Sequence, residues 1–373
     1  MKIGIDISQI VYEGTGVARF THNLLMSLVE SKESSNHSFS IFFSSLNNKI
    51  PESVIKLIEN NRNSKLFRWP IPPRALSYLW GHKNLRNFLP TPFTDLDWFI
   101  SSDWTEPPKH IAKRKMTIVH DCIFKMHPET VDPVIINAQT KRLVIVEMES
   151  DLVSCDSQTT LNDLKVFYPD IKAKLFVNYP GVTPLPIPAV SEFPYPFHPK
   201  KYFLSVGKIE PRKNIPMLVE AFEEFSKIKG HEDYQLVIVG PKGWDVSESH
   251  LNKPNVHLMG TVADDDLGVL YTNAKAFIFP SLYEGFGIPL IEAMTMGCPA
   301  ITSRNSSLAE ISSDENVIYI DPKNKGSIVS AMNKIVDNPT LVQSMIEAGY
   351  QNSKKFTWER YTRILLEQLN SKL

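Results

Sequence analysis

Glu284 and Glu292 flank a glycine-rich turn within the stretch 277–299, FIFPSLYEGFGIPLIEAMTMGCP. Two carboxylates would repel phosphate, but they accept hydrogen bonds from neutral hydroxyls such as those of a ribose or a sugar. Between them, Gly285, Phe286 and Gly287 offer backbone amides, and Pro289 is preset for the first turn of a helix that includes Ile288 and Leu290. Amides at the positive end of a helix dipole suit a diphosphate. A nucleotide sugar carries both kinds of group.

Other residues of chemical interest lie elsewhere in the chain. Lys208 and Lys213, in GKIEPRKN after an apolar run, supply positive charge for a diphosphate leaving group, where solvated charge is the plainer role. Gly14-Thr15-Gly16 precedes helical spacing and lets backbone approach an anion, although the full dinucleotide fingerprint is missing, so a simple turn reads equally well. His120-Asp121 follows the apolar Thr117–Val119. On position alone, a histidine there is a structural hydrogen bonder. Asp264-Asp265-Asp266 could hold magnesium, but acids just before LGVLYTNA suit a helix N-terminus better.

These residues need elements to position them. Apolar runs at 3–7, 41–43, 116–119, 152–154 and 175–177 read as short buried strands, with helical spacing over 17–29. A proline-rich run, 183–200, reads as a linker. Strands at 202–206, 236–239, 256–259, 276–279 and 300–302 then alternate with helices at 215–228, 264–273 and 289–296. The order implies an α/β protein of two doubly wound Rossmann-like domains, with ligand loops at the strand carboxyl ends. The domain boundaries are 1–182 and 201–355, and an amphipathic helix within 356–373 closes the chain.

A chain of 373 residues, 42% of them apolar, is long enough for two cores. A formal net charge of −1 gives no overall attraction to nucleic acid. The scattered Cys122, Cys155 and Cys298 imply neither a disulfide framework nor a zinc site. The start, MKIGIDISQIVYEG, lacks an apolar signal core, and no stretch approaches a membrane span, so a cytoplasmic location is expected. The segment 62–90 carries six Lys or Arg and no acid among its aromatics. It reads equally as a peripheral face for an anionic membrane at the inner side of the cell membrane, or as core and acceptor cleft.

The Glu284/Glu292 pair with EGFGIPLIEAM resembles the signature of retaining glycosyltransferases of family 4, which have the GT-B fold. The motifs YEGTGVARFTHNLL, IVHD, GKIEPRKN, LVIVGPKGW and VHLMGTVADDDLGVLY occur in the family's order. The resemblance is strongest over 203–321 and leans toward mannosyltransferases of bacterial surface polysaccharide and lipopolysaccharide synthesis. It implies two parallel sheets facing across a cleft, with the N-terminal domain on the acceptor side and the last helix crossing back to it. It further implies a hexose, mannose from GDP-mannose, moved to a glycan or lipid-linked acceptor with retention and without metal or other cofactor. On the same basis, His120 and Glu284 are the catalytic residues. Thr15, Gly16, Lys208, Lys213, Val262 and the Glu284–Leu290 segment with Glu292 bind donor. Ala18 stands where relatives commonly have a second glycine. A nucleotide-sugar isomerase or epimerase of similar fold, and a non-catalytic scaffold, are the rival readings.

Overall fold

The computed structural model describes the chain except residues 13, 82–85, 87–90, 94, 105, 189–192, 244–250 and 372–373, with backbone alone at 73 and 74. Two compact units result, Met1–Gly181 with Thr357–Leu373, and Val182–Phe356.

In the first unit the strands are β1 (Lys2–Asp6), β2 (Ser38–Ser44), β3 (Ser64–Trp69), β4 (Trp98–Ser102), β5 (Arg114–Val119), β6 (Leu152–Cys155) and β7 (Lys174–Val177). Among the described residues they form one parallel sheet in the order β3-β2-β1-β4-β5-β6-β7. Consecutive strands run outward from β1 on one side and from β4 on the other. The β1/β4 boundary is therefore a topological switch point, the place where such sheets gather ligands. Leu24, Leu25 and Leu28 of the helix Gly16–Glu30 pack with Tyr361, Leu365 and Leu369 of the final helix, Trp358–Asn370, in one core. Ser27 Oγ joins the two helices, 3.1 Å from the Trp358 carbonyl and 2.7 Å from Thr362 Oγ1. A side chain at Gly181 would collide with the Trp358 backbone, so this close approach requires glycine.

The second unit holds β8 (Tyr202–Val206), β9 (Gln235–Val239), β10 (Val256–Gly260), β11 (Ala276–Phe279), β12 (Ala300–Ser303) and β13 (Val317–Ile320). Its described strands form a parallel sheet in the order β10-β9-β8-β11-β12-β13, with the switch between β8 and β11. The proline-rich run belongs to this unit. Phe193 and Phe197 lie against Tyr202 at ring-centroid distances of 6.0 and 4.9 Å.

The helix expected over 215–228 stops at Phe225. Phe225 is fully buried, whereas Ile228 is exposed, so the packing that stabilises the helix ends one turn earlier than the apolar spacing. Most aromatics of the segment 62–90 turn inward. Trp80 stacks on Phe42 at 5.5 Å, Phe67 meets Phe93 at 4.8 Å, and buried Arg86 pairs with Glu149 at 2.9 Å. Tyr78 faces solvent, while Lys83 and Phe88 lie outside the described residues. Among the described residues no helix is long and apolar enough to cross a membrane.

Candidate active site

Because β8 and β11 are neighbours, with Phe277 paired to Leu204, the loops that leave their carboxyl ends meet. The loop after β8 carries GKIEPRKN; the loop after β11 carries EGFG. Glu284 is buried where they join. Its Oε1 lies 2.6 Å from Lys213 Nζ, and its Oε2 lies 2.6 Å from Arg212 Nη1. Burial alone would push the carboxyl pKa up, but Arg212 and Lys213 outweigh it and bring Glu284 down to about 2. Lys213 Nζ also sits 4.5 Å from the centre of the Phe279 ring. Lys208, by contrast, is exposed at the end of β8.

Backbone geometry holds this junction. Gly287, the N-cap of the helix Ile288–Thr295, has φ +110°, and a Cβ there would press to 2.8 Å from Leu308 Cδ2. Asn214 caps the helix Ile215–Phe225 with φ 58°, its amide donating to the Pro322 carbonyl at 2.7 Å. The loop after β12 grips the turn: Ser307 Oγ is 2.8 Å from the carbonyls of both Glu284 and Phe286, and Ser306 Oγ accepts the Glu284 N–H at 3.0 Å. Asn305 donates to the Leu282 carbonyl at 2.8 Å. Phe286 is buried, its ring edge-on to Phe356 at 5.6 Å.

Glu292 lies on the helix that Gly287 starts. It is buried, and Tyr271 donates to its Oε2 at 3.2 Å. Gly285 is half-buried in the turn; Ile288 opens the helix and Leu290 fills the core beneath it. Val262 follows β10, two strands from β8 at the sheet edge. Asp264, Asp265 and Asp266 occupy the first turn of the helix Asp264–Asn273, where the dipole favours acids; the N-cap is Ala263, which makes no side-chain cap. The structure thus brings Lys213, Glu284 and the Gly285–Leu290 turn together, with Glu292 one helical turn further on.

Three of the expected site residues belong to the first unit. Thr15 caps the helix Gly16–Glu30, its Oγ1 accepting the Ala18 N–H at 3.2 Å, and Gly16 is the first helical residue. His120 follows β5, with Nδ1 2.7 Å from Asp156 Oδ2 and Nε2 3.1 Å from Ser102 Oγ. The Phe20 ring contacts the imidazole edge-on at 4.6 Å. Burial disfavours the imidazolium, yet Asp156 and Asp103 outweigh it, so the His120 pKa rises. Asp121 satisfies a turn instead, accepting the Ile123 N–H at 3.0 Å.

Sequence reading missed Arg212, Tyr271, Asp156 and the Asn305–Ser307 clamp. Arg212 adjoins Lys213 in PRKN, which was a usable signal; the others come from a helix and from loops after other strands.

Residues 191–352 match the family model described as glycosyl transferases group 1. The match covers less than half of the chain. The chain is 32% identical over 167 residues to O-antigen chain mannosyltransferase B of Escherichia coli, a match covering 43% of this chain and 43% of that relative. The alignment therefore spans less than half the length of the relative. Across the whole chain, sucrose-phosphate synthase from Thermosynechococcus elongatus superposes with a TM-score of 0.69 at 17% identity, covering 99% of this chain and 98% of that one. WaaG, a glycosyltransferase involved in lipopolysaccharide biosynthesis, gives 0.69 at 14% identity, with 100% of each chain covered. These likenesses are of fold, and the fold is GT-B. The residues matched by the family model include Arg212, Lys213, Glu284, Gly287 and Glu292.

Proposed function

We propose that this chain is a retaining hexosyltransferase that moves mannose from GDP-mannose to a glycan or lipid-linked acceptor of surface polysaccharide synthesis. The carrying observation is the buried Glu284 carboxylate, ionised by two cations and set beside the helix start at Gly287. The mannosyl identity rests on the partial likeness to the O-antigen mannosyltransferase.

In this reading the diphosphate lies on the amides at 287–290, with exposed Lys208 providing charge, while Lys213 helps hold Glu284. Glu292 takes the ribose diol and Glu284 the transferred sugar. The bond from the anomeric carbon to phosphate breaks as the acceptor oxygen bonds on the same face. A leaving phosphate oxygen takes the acceptor's proton, so the nucleoside diphosphate departs without a protein nucleophile. Lysine charge and helix amides stand in for a metal cation.

Thermal shifts with GDP, UDP, ADP and dTDP in EDTA test the donor site, with Glu292→Ala as control. A ligand at a hundred times its Kd should stabilise by about 2.7 kcal/mol. Transfer from the preferred donor that collapses in EDTA and returns with magnesium would sink the metal-free mechanism. Conversion of donor without acceptor would favour the isomerase.

A further inference from the structure

Arg212 was absent from the expected site, yet it makes the more solvent-facing half of the grip on Glu284. Its side chain is 22% exposed, against 8% for Lys213. Several contacts fix the guanidinium. Nη1 lies 2.6 Å from Glu284 Oε2 and 3.4 Å from the Tyr283 carbonyl, and Nε lies 2.5 Å from Glu210 Oε1. Glu210 is itself buried. The two carboxylate oxygens thus go to two cations on consecutive residues, and the plane of the carboxylate is set by both.

The joint between the loops does not rest on the Arg212 side chain alone. The Leu282 N–H donates to the Arg212 carbonyl at 2.8 Å, and this backbone bond survives substitution. Charge sums to zero over Glu210, Arg212, Lys213 and Glu284, so the group is balanced before any donor binds. Removing Arg212 leaves Oε2 without that partner and Glu210 without its guanidinium. The carboxylate then keeps Lys213 at Oε1 and the nearby Ser281 hydroxyl, but loses the cation that fixes Oε2.

We propose that Arg212 is a positioning residue that fixes the Glu284 carboxylate at the transferred sugar, with Glu210 orienting Arg212. The role rests on the transferase reading above. Because a misplacement near 1 Å is worth on the order of 100-fold in rate, Arg212→Gln should lower kcat by roughly that factor. Donor KM should stay within a few-fold of wild type. Arg212→Lys, which can still pair Oε2, should recover much of kcat, and Glu210→Gln should give a smaller loss.

The decisive readout is the profile of kcat against pH between 4 and 8 for wild type, Arg212→Gln and Arg212→Lys, with GDP affinity measured alongside. Among the described residues, the charged groups facing Glu284 are Arg212, Lys213 and, through Arg212, Glu210. Wild type should show no fall from Glu284 protonation in this range, and Arg212→Gln should acquire an acid limb that Arg212→Lys largely removes. A merely structural arginine would lower stability and GDP affinity together without creating that limb. Active wild type with Arg212→Gln of equal kcat and identical profile would overturn the Arg212 role alone. Wild type that binds GDP but transfers from no donor would overturn the transferase reading, and the role with it.

Discussion

Lys213 Nζ lies 2.6 Å from Glu284 Oε1, closing the switch point of the second sheet with a buried ion pair. Residues 71 positions apart thereby become one charged group. Removing one partner of such a pair costs more than the pair contributes net, because the other charge stays buried.

Glu284→Gln is expected to cut kcat by about 100-fold or more while donor affinity changes little, since the carboxylate acts on the developing sugar charge. Steady-state kinetics beside a GDP thermal shift will separate the two. Unchanged turnover would remove Glu284 from the reaction centre.

Acid stability gives an independent measure of the same pair. The Glu284 pKa is depressed from 4.5 to about 2 on folding, so its stabilisation is present above pH 4.5 and is lost as pH falls toward 2. The full effect is about 3 kcal/mol by linkage. Denaturant midpoints of wild type should fall through this window more steeply than those of Glu284→Gln. Parallel curves would count against the depressed pKa.

Gly287→Ala should destabilise the second unit by about 1–3 kcal/mol. The change forces a Cβ onto a backbone at φ +110° and against Leu308. Differential scanning calorimetry will register it, and the effect of Gly16→Ala, where a Cβ meets nothing within 4 Å, should be smaller.

The His120 pair titrates with the opposite sign. Its pKa is raised in the fold, so the stabilisation is complete below the unfolded value near 6.5 and is lost as pH rises through the folded value. Asp156→Asn should lower the His120 pKa, and NMR titration of the imidazole protons reads it directly. An unmoved titration would show that Asp156 does not hold the charge.

Much of the fold was legible because both sheets are parallel and buried. Such strands write themselves as apolar runs, and β8 and β11 were located to the residue. β3 was not, because it sits at a sheet edge with Lys65 and Arg68 along it and reads as a basic, aromatic segment. The helices Lys325–Asp337 and Pro339–Ser353 were also passed over, their apolar stripes being diluted by exposed polar positions.

The sequence by itself determined the kinds of chemistry available. Glu284, the glycine turn and Glu292 are adjacent in the chain, so local spacing alone gives carboxylates beside helix amides. Tertiary structure decided what each charge does. Lys213 looked like a phosphate ligand, but the pairing of β8 with β11 delivers it and Arg212 to Glu284, while Lys208 remains exposed. Likewise Asp156, not the neighbouring Asp121, holds His120, because β6 lies beside β5 in the sheet. Strand order is a long-range property, fixed by burying both faces of the sheet, and spacing along the chain carries no record of which loops it will bring together.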